Sequence, residues 1–346
     1  MNQGYGQPDI TNLVYNNTIE QLVIHSGNTE IFKKDKVNRE RKYNNDMKLL
    51  LAEINFINRY VNCDNGTPLI VYIGSSPGFH LVKLMKMFPF IKFHLYDPIS
   101  PHPELEKYIE QNEGQVKFFK ELFTLETCDR YKENSFYLIT DFKDDKYTKD
   151  PYFAQNYEAK KLWQLEKEKS YNDDMELQKQ ICIKIKPIFS FLRFRLPHYY
   201  GESDDENVSF EYFHGVIWLM IYNDMKSNEA RIAVNDYSES DFKWNYQIFQ
   251  YRINYFNIVM RESLLLNPFT NDQSPIQNQL GNKFETVLMI KIILEYFKSI
   301  GYVSPRQSEI LDFYSNFLVA ETCSDVAEIC EESKYEIEEQ ELFEIN

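Results

Sequence analysis

A short apolar run followed by a glycine-containing turn is the part of this sequence best suited to bind a ligand. The string PLIVYIGSSPGFH occupies residues 68–80. Gly74 and Gly78 let the backbone turn sharply and approach a ligand without a Cβ atom in the way, and Pro77 fixes its own φ beside the turn. The spacing matches neither G-x-G-x-x-G nor G-K-[ST], so it does not indicate a dinucleotide or triphosphate site. A nucleoside cofactor that needs no phosphate grip, such as S-adenosylmethionine, fits better; the alternative is a tight strand-to-helix turn without a ligand.

Two aspartates end apolar runs downstream of this turn. Asp97 ends IKFHLYD and Asp141 ends SFYLITD. At the carboxyl ends of parallel strands, both side chains would face the crevice where open α/β sheets bind ligands. A carboxylate at Asp97 can accept hydrogen bonds from both hydroxyls of a ribose, and the alternative role is a helix cap for the segment near Pro101. We predict a functional role for Asp141.

The elements that must position these residues alternate between strands and helices. Runs rich in β-branched and aromatic residues are separated by segments of helix length, which predicts βαβ crossovers and a parallel sheet covered on both faces. We therefore predict a doubly wound α/β fold with extra helices. The predicted strands lie in PLIVYI, IKFHLYD, QVKFF, SFYLITD, PIFSFLRFRLP and GVIWLMIYN, and the predicted helices in NNDMKLLLAEINFINRY, FHLVKLMKMF, PELEKYIEQ, LFTLETCDRY, a charged region near 155–182, YQIFQYRINYFNIVMRE and KFETVLMIKIILEYFKSI.

The composition is that of a globular, acidic protein. The chain has 346 residues, 43% of them hydrophobic, and a formal net charge of −15. This charge argues against an indiscriminate, histone-like grip on nucleic acid. No run approaches the roughly 18 apolar residues of a membrane span, and the first residues lack the features of a signal peptide. Five cysteines without a C-x-x-C pair indicate neither a disulfide framework nor a zinc ribbon. We predict a cytoplasmic protein with no metal site and no membrane association.

The charge is unevenly distributed along the chain. Residues 321–346 contain ten carboxylates and one lysine, a charge of −9, which leaves −6 for the remainder. We predict an irregular N-terminal arm at 1–40, an α/β domain at 41–300 and an acidic tail at 301–346. A solvated acidic segment is the ordinary interpretation of such a tail. The alternatives are an internal mimic of nucleic acid over a basic groove, and a partner-docking helix that uses Leu342, Phe343 and Ile345.

Several strings of this sequence, in their order and spacing, resemble a known family. They are NNDMKLLLAEINFI, IVYIGSSPGFH, FHLYDPISPHPEL, FYLITDFKDD and SFLRFRLP. Together they resemble the poxvirus poly(A)-polymerase small subunit, a family that is also the cap-specific mRNA (nucleoside-2′-O-)-methyltransferase. The resemblance implies a class I, Rossmann-like methyltransferase sheet with S-adenosylmethionine over the YIGSSPG loop. The positions it places around the cofactor are Tyr72, Gly74, Ser75, Ser76, Pro77, Gly78 and His80, with Asp97 on the ribose.

The resemblance also implies a Lys-Asp-Lys-Glu set around the 2′-hydroxyl that receives the methyl group. Lys48 matches the first lysine and Asp141 the aspartate, whereas Arg193 replaces the second lysine. A guanidinium cannot serve as a base, but it can neutralise a developing alkoxide while Asp141 or water takes the proton. Gly215 falls at the position of the glutamate, and Glu211 is the nearest candidate.

Each of these residues also has an ordinary structural interpretation. Lys48 alone would be a surface lysine, His80 a cap or a core histidine, and Arg193 and Arg195 ion-pair partners or phosphate contacts. The aromatic residues of YQIFQYRINYF are spaced like core residues of a helix. The family's cap-holding positions fall roughly on His198, Tyr200 and Gln250, where Gln250 lacks the charge that 7-methylguanine recognition needs.

The resemblance therefore implies an S-adenosylmethionine-dependent 2′-O-methyltransferase that acts on capped mRNA. The main alternative is an inactive methyltransferase-shaped module that binds single-stranded RNA or DNA, or that serves a polymerase or capping enzyme as a subunit. Its signature would be a basic groove lined by Lys48, Lys143, Arg193 and Arg195. A small-molecule methyltransferase is a third possibility and predicts an enclosed pocket without a basic track.

Overall fold

The computed structural model describes residues 45–63, 66–132, 134–142, 157–195, 209–223, 227–245, 249, 253–261, 284–302, 305 and 307–313. The helices are α1 (Asn45–Tyr60), α2 (Leu81–Met87), α3 (Pro103–Gln111), α4 (Tyr157–Ile185), α5 (Phe284–Ser299) and α6 (Gln307–Asp312), with a 3₁₀ turn at Thr127–Arg130 and a π-helical turn at Phe256–Met260. The strands are β1 (Leu69–Ile73), β2 (Lys92–Tyr96), β3 (Val116–Phe119), β4 (Tyr137–Thr140), β5 (Ser190–Arg195), β6 (Ser209–Tyr212), β7 (Val216–Trp218), β8 (Glu229–Val234) and β9 (Phe242–Asn245).

Seven of these strands form one sheet in the order β3-β2-β1-β4-β5-β8-β7. The first five strands of that order are parallel, whereas β8 is antiparallel to both β5 and β7. The strand order reverses between β1 and β4, which is the switch point where doubly wound sheets bind their ligands. The predicted parallel sheet is confirmed, and β6 pairs with β9 in a separate two-stranded sheet.

Both faces of the large sheet are covered by other elements. Alternate residues of each buried strand point to opposite sides, so each strand contributes side chains to two packed layers. Ile70 and Tyr72 of β1 pack toward α1, α2 and α5, whereas Val71 and Ile73 pack toward α4 and the two-stranded β6-β9 sheet. The helix α1 runs over β5, where Phe56 stacks on Phe191 with a centroid separation of 4.8 Å. The fold is therefore an α/β, Rossmann-like doubly wound sheet with extra helices.

One predicted helix differs from the observed structure, and another is described only in part. The segment LFTLETCDRY forms only the 3₁₀ turn at Thr127–Arg130. The hydroxyls of Thr124 and Thr127 accept hydrogen bonds from each other's backbone N–H groups, a reciprocal cap that makes Thr124 the start of the turn and leaves the preceding residues of the segment outside it. The segment 246–262 is described at 249 and 253–261, where it includes the π-helical turn. Phe249 and Phe256 of this segment are buried, in agreement with a packing role.

The packed region continues beyond the predicted domain boundary at residue 300. Phe313, which follows α6, packs on Tyr296 and Phe297 of α5 with centroid separations of 5.8 and 5.1 Å. The predicted arm at 1–40 and the acidic residues 321–346 lie outside the described residues. None of the described helices is long and apolar enough to cross a membrane.

Candidate active site

The loop after β1 is tightly folded around its two glycines. Gly74 has φ +84° and Gly78 has φ +70°, values that favour glycine. A Cβ atom at Gly74 would lie 2.3 Å from the backbone nitrogen of Phe142, and one at Gly78 would lie 2.5 Å from the side chain of Leu105. The glycines are therefore required by the protein's own backbone and by α3 packing, rather than by the close approach of a ligand that the sequence suggested.

The two serines of the loop have different surroundings. Ser76 Oγ donates to the carbonyl of Ile99 at 2.8 Å and so joins the loop to the segment after β2. Ser75 is buried, and its hydroxyl has no hydrogen-bond partner among the described residues. Pro77 accepts a hydrogen bond from the backbone N–H of His102 at 3.0 Å, and the Ser76–Pro77 peptide is cis. An unsatisfied buried hydroxyl in a loop at the switch point of the sheet is the kind of group that a bound cofactor would satisfy.

Asp97 braces this loop from the end of β2. Its Oδ2 atom accepts from the Ser76 N–H at 3.0 Å, and its Oδ1 atom accepts from the Ile99 N–H at 2.9 Å. A helix cap was the alternative role for Asp97, but the side chain that caps α3 belongs to His102, which accepts from the Glu104 N–H. A carboxylate oxygen can accept more than one hydrogen bond, so these two bonds are compatible with a role of Asp97 toward a ribose.

Tyr72 and His80 direct their polar atoms toward one buried carboxylate. The Tyr72 hydroxyl donates to Glu53 Oε1 at 2.7 Å, and His80 Nε2 lies 3.1 Å from Glu53 Oε2. Burial raises the pKa of the Tyr72 hydroxyl well above its usual value, and the nearby carboxylates of Glu53 and Asp141 raise it further. Tyr72 is therefore a neutral hydrogen-bond donor at ordinary pH. Glu53 did not figure in the sequence prediction.

A cluster of five charged side chains lies at the carboxyl edge of the sheet, beside the glycine loop. Glu229 is its centre: Lys48 Nζ donates to Oε2 at 3.3 Å, and Arg193 Nε and Arg231 Nη2 each lie 3.7 Å from Oε1. Arg231 also donates to the carboxylate of Asp141 and to the carbonyl of Thr140. We call Lys48, Asp141, Arg193, Glu229 and Arg231 the acceptor cluster.

The geometry of β5 and β8 explains why the cluster needs its carboxylates. Arg193 and Arg231 are directly opposite each other in the antiparallel pair, an arrangement that is unfavourable for like charges. Burial alone would raise the pKa of the Glu229 carboxyl, but Lys48, Arg193 and Arg231 together lower it to about 2. Burial would likewise lower the pKa of the Arg193 guanidinium, but Glu229 and Asp141 raise it above its usual value. Arg193 is thus a permanent cation and not a base.

Two residues of α4 hold Arg193 in place from the other side. Gln178 accepts from the Arg193 N–H at 3.1 Å and donates to the Arg193 carbonyl at 3.2 Å, and it also accepts from the Thr140 hydroxyl. The ring of Tyr171 lies 5.2 Å from the Arg193 guanidinium and 4.1 Å from that of Arg195. Arg195 pairs with Glu168 at 2.7 Å.

The structure brings Lys48, Asp141 and Arg193 together, but it does not bring Glu211 to them. Glu211 lies on β6 in the separate sheet, is 54% exposed, and pairs with Lys243 at 3.7 Å. Glu229 stands beside Lys48 and Arg193 instead, and its strand was not among the predicted ones. The string EARIAV gave a signal, since charged residues at 229 and 231 alternate with apolar ones as in a half-buried strand.

Several residues of the sequence prediction fall outside the part that the structure describes. They are Lys143, His198, Tyr200 and Gln250.

The described members of the predicted basic groove do not form an exposed cationic track. Lys48, Arg193 and Arg195 are 3%, 12% and 13% exposed, and each has a carboxylate partner.

Comparison with known proteins places the chain in a family. Among curated protein sequences, none matched the chain. Similar solved structures include the delta-N METTL16 MTase domain, with a TM-score of 0.33 and 10% sequence identity over 55% of this chain and 82% of that chain. They also include an O-methyltransferase family protein from Burkholderia thailandensis, with a TM-score of 0.25 and 11% identity over 46% of this chain and 41% of that chain. The family model described as Poly A polymerase regulatory subunit matches residues 17–313. The chain therefore belongs to the poly(A) polymerase regulatory subunit family, as its motifs predicted.

Proposed function

We propose that this protein transfers a methyl group from S-adenosylmethionine to a ribose 2′-hydroxyl near the 5′ end of mRNA. One observation carries the proposal: Lys48, Asp141, Arg193 and Glu229 converge at the switch point, beside the glycine loop. In this proposal Lys48, Asp141 and Glu229 take the roles of the first lysine, the aspartate and the glutamate in the Lys-Asp-Lys-Glu set implied by the family resemblance, and Arg193 takes the role of the second lysine. Because these residues are far apart in sequence, their convergence is a property of the fold.

The loop after β1 fits a nucleoside cofactor in two respects. The buried Ser75 hydroxyl lacks a partner among the described residues, and the Asp97 carboxylate, which accepts from Ser76 and Ile99, is a group that can also accept hydrogen bonds from ribose hydroxyls. S-Adenosylmethionine would be held by Ser75 and Asp97, with Gly74 and Gly78 shaping the loop between them. When bound, this cofactor supplies an electrophilic methyl group on a sulfonium.

The acceptor cluster suits a hydroxyl that gains negative charge as it reacts. Lys48 and Arg193 supply two preorganised cations, and Glu229 fixes both of them. Asp141 is 24% exposed, so a substrate hydroxyl can reach it, and Arg231 fixes its orientation. We assign to Asp141 the acceptance, directly or through water, of the proton that the 2′-hydroxyl loses, and to Lys48 and Arg193 the neutralisation of the negative charge that develops on its oxygen. Holding the two reactants in line supplies most of the acceleration in such a displacement.

A methyl-transfer assay tests the proposal. Full-length protein is incubated with methyl-labelled S-adenosylmethionine and a capped RNA, and in parallel with the same RNA carrying a 2′-deoxyribose at the first transcribed nucleotide. The expected result is label in the first RNA and none in the second. Cofactor binding without label in either RNA would end the enzymatic claim.

A second function is supported by Arg193 and by the family. A guanidinium in place of the lysine removes a residue capable of proton transfer, which favours an inactive, methyltransferase-shaped subunit. The family description suggests a poly(A) polymerase as partner and RNA as ligand. In this case the protein would change the processivity of a polymerase, and mutation of Asp141 to Asn would leave that effect intact.

A further inference from the structure

A buried carboxylate outside the acceptor cluster contacts the chain on both sides of the glycine loop. Glu53 of α1 is 1% exposed. It accepts the Tyr72 hydroxyl at 2.7 Å, and its two oxygens lie 3.1 and 3.3 Å from His80 Nε2. Tyr72 and His80 are themselves buried. We call Glu53, Tyr72 and His80 the loop brace.

The loop brace contacts both ends of the glycine loop. Tyr72 precedes Gly74 by two residues on β1, and His80 follows Gly78 by two residues at the start of α2. One carboxylate therefore ties the entry and the exit of the loop to α1, the same helix that carries Lys48. An unpaired buried carboxylate is strongly unfavourable, so its bonds to Tyr72 and His80 restrict where the two ends of the loop can lie.

We propose that Glu53 is a positioning residue, which fixes the conformation of the 74–78 loop and sets its position relative to Lys48 and the acceptor cluster. The hydroxyl of Tyr72 and the imidazole of His80 both face Glu53, so the loop brace acts on the two ends of the loop. The predicted effect of Glu53 on cofactor binding rests on the proposed function of the loop. Its effect on loop conformation does not depend on any ligand.

Hydrogen exchange of the ligand-free protein tests the conformational part. The amides of Gly74 and Ser75 donate to the Tyr96 carbonyl at 2.9 and 3.3 Å, and that of Ser76 donates to Asp97, so a well-fixed loop protects them. The variant Glu53→Met keeps the side-chain volume and removes both acceptors. We expect exchange in a 74–80 peptide to be about tenfold faster, in line with the loss of a charge-assisted hydrogen bond.

Three other variants separate positioning from general stability. Glu53→Gln keeps an acceptor for Tyr72 and a donor for His80, so it should restore most of the protection. Tyr72→Phe removes one arm of the loop brace and should give a smaller increase in the same peptide. Glu295→Met removes an exposed carboxylate of α5 and should change nothing at 74–80. Equal exchange in wild type and Glu53→Met, or faster exchange to the same extent in β4, would overturn the inference.

Calorimetric titration with S-adenosylmethionine tests the effect on binding. We expect Glu53→Met to weaken binding about tenfold, and Glu53→Gln to bind nearly as well as wild type. Unchanged affinity in Glu53→Met would overturn the link between the loop brace and the cofactor. Wild-type protein that binds no S-adenosylmethionine would contradict the proposed function, and the exchange rates would still decide whether Glu53 fixes the loop.

Discussion

Among single residues, Glu229 has the strongest electrostatic role. Its negative charge compensates the positive charges of Lys48, Arg193 and Arg231. These cations hold the pKa of the Glu229 carboxyl at about 2, below the ordinary 4.5. A carboxyl whose pKa is lowered in the folded state stabilises the protein above its unfolded pKa, and this contribution disappears as the pH falls toward the folded value. We therefore expect Glu229→Gln to destabilise the protein by about 3 kcal/mol at pH 7.

The pH dependence makes this prediction specific. The difference in unfolding free energy between wild type and Glu229→Gln should shrink between about pH 4.5 and pH 2, as measured by urea denaturation. Glu211→Gln is the matched control, because Glu211 makes an exposed pair with Lys243 and should change stability by less than about 1 kcal/mol. Equal effects of the two substitutions at pH 7 would refute the central role of Glu229.

Arg193 determines which group can take part in proton transfer. The substitution Arg193→Lys introduces a side chain that can lose its proton beside Asp141 and Glu229. If methyl transfer occurs, we expect the single-turnover rate to rise about tenfold or more, and to increase with pH as the lysine deprotonates. Arg195→Lys keeps the pair with Glu168 and should leave the rate and its pH profile unchanged. A wild-type rate in Arg193→Lys would show that positioning alone limits the reaction.

At the scale of elements, the loop after β1 is fixed by the strand ends around it. Gly74→Ala combines an unfavourable φ with a contact of 2.3 Å to the backbone of Phe142. We expect it to destabilise the protein by more than about 3 kcal/mol. Gly301 is the matched control, because it has a similar φ of +88° but an added methyl group there would have nothing within 4 Å. Gly301→Ala therefore measures only the destabilisation caused by the positive φ, which we expect to be about 1 kcal/mol. Thermal melting of the two variants should differ clearly, and similar melting temperatures would mean that the loop can move away from Phe142.

The sequence could predict these elements better than their pairing. The strands through β5 follow from apolar runs separated by helix-length segments, and Lys48, Asp141 and Arg193 follow from the strings that resemble the family. The sequence did not predict which strand pairs with β5, because tertiary packing inserts β8 antiparallel between β5 and β7. Glu229 was missed for that reason, and Glu211 was preferred on its distance along the chain. Glu53 was missed because a glutamate on a helix is ordinarily exposed.

At the scale of the whole molecule, the charge distribution favours a reaction site over a phosphate-binding track. The chain carries a net charge of −15. The described cations of the predicted groove are largely buried and paired with carboxylates, so they serve the acceptor cluster and the α4 contacts. Ion pairs of this kind position a substrate group more readily than they neutralise a row of phosphates.

The central claim is that the loop after β1 holds S-adenosylmethionine beside the acceptor cluster. Its most direct test is the melting temperature of the full chain with increasing S-adenosylmethionine, in wild type and in Asp97→Asn. A ligand that binds the folded state must raise the melting temperature by mass action. We predict a concentration-dependent rise for wild type and a smaller rise for Asp97→Asn. No rise for wild type at millimolar ligand would contradict the claim.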